Sequence, residues 1–115
     1  MSGDRMRRVD EAMREVLSDA ITSELKDPRV GFVTVTAVDT SPDLRHARVF
    51  VSVLGDEPVR RRSLDGLRSA HGYLQRLVAD ELHLKHTPTL EFAYDDTAER
   101  GQRIQELLAE AEERR

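Results

Sequence analysis

The chain has 115 residues, 38% hydrophobic and 35% charged, which makes one ordinary domain with a modest core and a crowded polar surface. No apolar run exceeds three residues, against about 20 for a membrane-spanning helix, no apolar segment follows the N-terminal charges as in a secretory signal, and there is no cysteine for disulfide, thiolate-zinc or nucleophile chemistry, so a cytoplasmic protein is expected. The net charge of −4 argues against indiscriminate nucleic-acid binding, but residues 58–92 carry a net +2 and residues 93–115 a net −3, so the middle is locally basic and the tail acidic.

Val9, Ala12, Met13, Val16, Leu17, Ala20, Ile21 and Leu25 recur at steps of three and four, which predicts a helix. Asp4 lies in its cap region, and Lys26-Asp27-Pro28 ends it, because a residue before proline avoids the helical basin. From Gly31 to Asp39, Val33, Val35 and Ala37 alternate with Thr34, Thr36 and Val38, a strand pattern rich in β-branched residues. Thr40-Ser41-Pro42-Asp43 supplies a turn. Then Ala47, Val49, Val51 and Val53 alternate with His46, Arg48, Phe50 and Ser52, so the two strands form an antiparallel hairpin.

Gly55-Asp56-Glu57-Pro58 breaks the sheet and opens a helix. Leu64, Leu67, Ala70, Leu74, Leu77, Val78 and Leu82 keep helical steps to about residue 83, with a kink or break expected at Gly72. Thr87-Pro88 ends that geometry. Leu90, Phe92 and Tyr94 alternate with Thr89, Glu91 and Ala93 as a third strand. Asp95-Asp96-Thr97 is a turn and cap before a last helix holding Ile104, Leu107 and Leu108, with fraying expected over residues 110–115. The outcome is a single α+β domain of residues 1–115, core about 5–108. Its three-stranded mixed sheet has helices on one face and solvent on the other.

The basic clusters are Arg5-Arg7-Arg8, Arg45 with Arg48, and Arg60-Arg61-Arg62. Arg48 shares an outward strand face with His46 and Phe50. Phe50 there either stacks on a nucleic-acid base or pairs across the hairpin with Phe32 or Thr34. Arg60–Arg62 sits early in a helix, where the dipole disfavours cations, so either an RNA phosphate offsets that cost or the face is simply solvated. No Gly-x-x-Gly loop is present. At Ala70-His71-Gly72, however, a glycine lets backbone come close to a phosphate, and the next helix offers free N–H groups, with Arg68, Arg76 and Lys85 nearby in sequence. His83 and His86 lie three apart without a carboxylate between them, which is weak support for a metal. No enzyme motif is found, so no catalytic residue and no cofactor are expected.

Four patterns, in this order, resemble bacterial ribosome-binding factor A: Lys26-Asp27-Pro28-Arg29-Val30-Gly31; Val38 to Leu44 followed by Ala47-Arg48-Val49-Phe50-Val51; Ala70-His71-Gly72; and Pro88-Thr89-Leu90-Glu91-Phe92 with Tyr94-Asp95-Asp96 and Gly101. His71 stands where that family usually has Ser or Asn, and Lys85 where it often has Arg. The resemblance spans about residues 5–108 and implies a KH-like fold of the type II topology, in the order α-β-β-α-kink-α-β-α. It implies a non-catalytic assembly factor that binds free 30S subunits and precursor 16S rRNA, aids maturation of the 5′ end and supports growth in the cold; no long unpaired apolar stripe calls for a dimer, so a monomer is expected. The RNA-binding residues then expected are Arg7, Arg8, Arg45, Arg48, Arg68, Ala70, His71, Gly72, Arg76 and Lys85. A rival reading is a protein-interaction module acting through the open sheet face or the acidic last helix. A second rival is a small metal-dependent hydrolase built on the histidines.

Overall fold

The computed structural model of the protein describes residues 2–114; Met1 and Arg115, the ends of the expected domain and tail, lie outside them. Over the described residues the order is α1 (Ser2–Ser23), β1 (Val33–Thr40), β2 (His46–Val53), α2 (Glu57–Ser69), α3 (His71–Leu82), β3 (Thr89–Tyr94) and α4 (Thr97–Glu113). The sheet order is β1-β2-β3, with β1–β2 antiparallel and β2–β3 parallel. The expected element order and mixed sheet are therefore those of the structure.

Strand β2 is central, and its alternation is the predicted one. Ala47, Val49, Val51 and Val53 are buried, while His46, Arg48 and Ser52 are exposed and Phe50 is partly so. Onto this row pack Met13, Leu17, Ala20 and Ile21 of α1, Leu67 of α2, Leu74 and Val78 of α3, and Leu90 and Phe92 of β3. Strand β1 departs from simple alternation. A bulge between Val35 and Ala37 inserts one residue, so Thr36 and Ala37 both face solvent and Val38 and Thr40 turn inward. A strict period of two had placed Ala37 inside and Val38 outside. The bulge also shifts the pairing, and Phe50 lies opposite Ala37 rather than Phe32 or Thr34. Beyond the bulge, the Thr40 N–H is taken by Asp10 Oδ1 of α1 at 3.0 Å.

The segment between α1 and β1 runs along α2. Asp27 accepts from the Arg29 backbone N–H at 2.9 Å and from its guanidinium at 2.6 Å. The buried Ser63 hydroxyl accepts from Gly31 N–H at 3.2 Å and donates to the Arg29 carbonyl at 3.4 Å. Gly66 lets this segment approach: a Cβ there would stand 2.7 Å from Val30 Cγ2 and 3.3 Å from Arg29 Cβ. The Lys26–Gly31 pattern is therefore a packing device as well as a helix stop.

The break between α2 and α3 falls at Ala70 and not at Gly72. Ala70 has φ −86° and ψ 6°, a bridge conformation open to any residue, and its N–H bonds to the Gly66 and Leu67 carbonyls at 3.1 Å each. The break allows Leu67 and Leu74 to be buried together. Gly72 is already the second residue of α3, with open space where a Cβ would lie. Gln75 of α3 then organises the start of β3. Its Nε2 donates to the Pro88 carbonyl and its Oε1 accepts from the Leu90 N–H at 3.1 Å.

The cap of α4 comes from Asp95, whose Oδ1 accepts from Thr97 N–H at 2.9 Å, while Asp96 makes no side-chain cap. The helix runs to Glu113, with no buried residue along it. It stands off the body, which explains a radius of gyration of 16.7 Å where a compact chain of this length would have about 13 Å.

Three outcomes are expected. Gly66→Ala forces its Cβ onto Val30 and lowers stability by about 1–3 kcal/mol, read by urea denaturation. Gln75→Ala strands the buried Leu90 N–H and costs about 1–3 kcal/mol by the same measurement. The Arg29 hydrogen bonds hold the Asp27 carboxyl at about 2, down from 3.8. A lowered folded-state value means that the unfolded chain binds the proton more readily. This contribution is therefore complete above about pH 4 and lost as pH falls toward 2. Stability of Asp27→Asn will fall less steeply than wild type across that window.

Candidate nucleic-acid interface

Four separate places hold the candidate residues. The first is the α2–α3 break. Ala70 is partly buried, His71 is half-exposed as the first residue of α3, and Gly72 is exposed. Among the described residues no side chain caps the N-terminus of α3, so its first N–H groups and the positive end of its dipole face outward toward an anion. The Tyr73 hydroxyl donates to Glu24, the residue just past the end of α1, which pins this end of α3 and raises the tyrosine's pKa. Arg76 is exposed on α3, with no ion pair or hydrogen bond to another side chain among the described residues. Arg68 lies along β3 instead. Its Nη2 donates to the Phe92 carbonyl at 3.2 Å and its Nη1 lies 3.9 Å from Asp65 Oδ1.

The second place is the open face of the sheet. Arg48 sits in register between Asp39 of β1 and Glu91 of β3. A shallow groove of about 310 Å³ is lined by these three residues with Thr40, Ser41, Pro42 and His46. Two carboxylates against one guanidinium make this a poor place for a phosphate unless other cations approach. At the far end of the same face, Phe32 and Leu54 are 81% and 76% exposed, and the Leu54 N–H bonds to the Phe32 carbonyl at 3.0 Å.

The third place is the end of the sheet formed by the β1–β2 turn and the loop before β3. Arg45, Asp43, Leu44 and His46 from the turn meet His86, Thr87 and Thr89 around a groove of about 630 Å³. Lys85 is exposed beside His86. At this end too, Asp10 is already level with Thr40, so the first turns of α1 overhang the sheet. They carry Arg5, Arg7 and Arg8, with Arg7 3.4 Å from Asp4.

The fourth place is the arginine run of α2, and there the chain itself supplies the partners. Arg60 lies 4.6 Å above the Tyr94 ring and 3.4 Å from Glu99 Oε1, to which the Tyr94 hydroxyl also donates at 2.5 Å. This cluster ties α2, β3 and α4 together, lowers the pKa of Glu99 and raises that of Tyr94. Arg61 pairs with Glu57 one turn earlier at 3.1 Å. Two of the three arginines thus have intramolecular reasons to be where they are.

Sequence reasoning placed Arg45 and Lys85 on separate elements and missed the part of His46, His86, Thr87 and Thr89. No local signal could have found it. Residues some 40 apart meet here because β2 and β3 pair in parallel, with His46 opposite Thr89. Among the described residues no group of three or more His, Asp or Glu is placed to hold a metal ion, and no helix is long and apolar enough to cross a membrane.

With this arrangement in hand, comparison with known proteins is specific. The family model described as ribosome-binding factor A matches residues 5–108. Ribosome-binding factor A of Halothermothrix orenii is 47% identical over 113 residues, covering 98% of this chain and 93% of that protein. The crystal structure of ribosome-binding factor A from Thermus thermophilus superposes with a TM-score of 0.70 at 27% identity, covering 77% of this chain and 93% of that one. A homology model of Thermus thermophilus ribosome-binding factor A, as fitted into the cryo-EM map of a 30S complex, superposes with a TM-score of 0.63 at 28% identity, covering 75% of this chain and 90% of that one. The chain therefore belongs to the ribosome-binding factor A family.

Proposed function

We propose that this protein is a non-catalytic assembly factor that binds the immature small ribosomal subunit as a monomer. In this reading it contacts precursor 16S rRNA, aids maturation of the 5′ end, including in the cold, and acts in the cytoplasm on free subunits rather than complete ribosomes. The observation that carries the reading is the fit of a Thermus relative of the same fold into a 30S complex. The mechanism is a shift of population. A protein that binds one RNA conformation more tightly than another favours it by the difference in affinity. The net charge of −4 suits that role, because RNA at large is bound weakly and affinity comes from shape at one site.

The α2–α3 break with Arg76, and the basic sheet end with Arg7, Arg8, Arg45 and Lys85, are the surfaces we assign to RNA. Arg48 and Arg68 belong to the same set but are partly neutralised by their neighbours. One observation favours a second reading, docking on a protein of the subunit without RNA contact. Ile104, Leu107 and Leu108 of α4 are 57%, 50% and 62% exposed on a helix that buries nothing.

Sucrose-gradient sedimentation of a lysate should place the protein with free small subunits and not with complete ribosomes. Titration should give tighter binding to precursor subunits than to random RNA of equal length, and equal affinities would overturn the proposal. Arg48→Glu with Arg76→Glu should weaken subunit binding, whereas unchanged binding would favour the protein-docking reading. Gly72→Ala meets no steric obstacle, so it should stabilise α3 by up to about 1 kcal/mol while weakening subunit binding.

A further inference from the structure

The groove at the sheet end has a feature that RNA binding in general does not require. Three of the four histidines, His46, His83 and His86, lie in or beside its two loops, and two of them line it. The loops are held in shape. Ser41 Oγ donates to Asp43 Oδ1 at 2.6 Å and accepts from His46 N–H at 3.1 Å, and Asp43 Oδ1 also accepts from Arg45 N–H at 3.1 Å. Thr89 N–H ties the second loop to the Arg45 carbonyl at 2.8 Å. The first loop contains a left-handed residue that is not glycine, Leu44 at φ 61°, while His83 at φ 49° is the left-handed C-cap that ends α3. Strain of this kind persists only where the surroundings overdetermine it, and it gathers at binding sites.

The charges are also informative. The groove faces Arg45 and Asp43, which cancel, with His46 and His86 and the hydroxyls of Thr87 and Thr89. With both imidazoles neutral the wall carries no net charge. With both protonated it carries +2. On its other side His46 faces Asp39, Arg48 and Glu91, a net −1. Lys85 beside His86 and the arginines in the first turns of α1 add fixed positive charge at this end of the sheet, so it is the charge of the groove's own wall that depends on the histidines, the side chains that ordinarily change charge between pH 5 and 8.

We propose that this groove is a phosphodiester site. Arg45 is its permanent cation, His46 and His86 are cations that bind and hold protons when the anion arrives, and Thr87 and Thr89 are neutral donors. The inference rests on the small-subunit reading, since it takes the phosphodiester to be one of RNA. Linkage is reciprocal, so protonation must tighten RNA binding by the factor by which RNA tightens protonation.

The test measures affinity for purified free small subunits at pH 7.5 and 6.0 at fixed salt. Wild-type affinity should rise about fivefold or more on acidification. His46→Gln with His86→Gln should reduce that rise to less than about twofold. Arg45→Gln should weaken binding at both pH values and lower the log–log salt slope by roughly 0.7–0.9. A wild type without pH dependence, or a double variant that keeps it, overturns the groove while leaving the small-subunit reading intact. Should wild type not bind subunits at all, that reading falls and a second measurement decides the groove. In NMR spectra at pH 6.0, an oligouridylate hexamer should shift the Arg45, His46 and His86 signals at concentrations where inorganic phosphate does not. Equal shifts with the two probes mean a free-phosphate site, and no shift means no site; either result overturns the proposal.

Discussion

Everything in this molecule hangs on four side chains of the central strand. Ala47, Val49, Val51 and Val53 point one way and are almost shut off from solvent. A slip of one residue would turn the whole row to water, and burying each valine contributes about 1.5–3 kcal/mol, so the register is strongly specified. With that row inside, three helices must cover it. His46, Arg48, Phe50 and Ser52 then have to stand on the other face. The side chains that line the open face and the groove at its end are thus the complement of the core.

The helices settle where backbone can come closest. The Arg29–Gly31 segment reaches α2 only because Gly66 has no side chain, and Ser63 satisfies the polar groups that this approach buries. Gln75 does the equivalent work between α3 and the start of β3. Both devices lie on the covered side. They leave the α2–α3 break and the two loops at the sheet end free to present N–H groups and cations outward. Helix α4 is different. It is joined to the body through Asp95, Thr36 and the Arg60–Tyr94–Glu99 cluster, and none of its residues is buried.

The elements were legible because their signals are local. A 3.6-residue stripe in α1, a two-residue alternation in β2 and proline or glycine punctuation between elements are each contained in a short window. The bulge in β1 was not legible, because Val38 is as good an outward strand residue as Ala37 on propensity alone. Burial of Val38 against α1 is what the switch of faces after Val35 gains, and Thr40 follows it inward. The same holds for the helix break. Gly72 is the residue that propensity marks, but Ala70 is where the chain turns, since joint burial of Leu67 and Leu74 sets the geometry.

The sequence by itself determined the fold class, the order of elements, the inward row of β2 and the family pattern that runs through residues 5–108. Tertiary structure alone decided which cations remain available. Arg60 is held by Tyr94 and Glu99, and Arg48 stands between two carboxylates, while Arg45 meets His46 and His86 across a groove. Charges along a chain can be counted from sequence, but their fields add in space. Parallel pairing of β2 with β3 brings together residues that no short window of sequence contains.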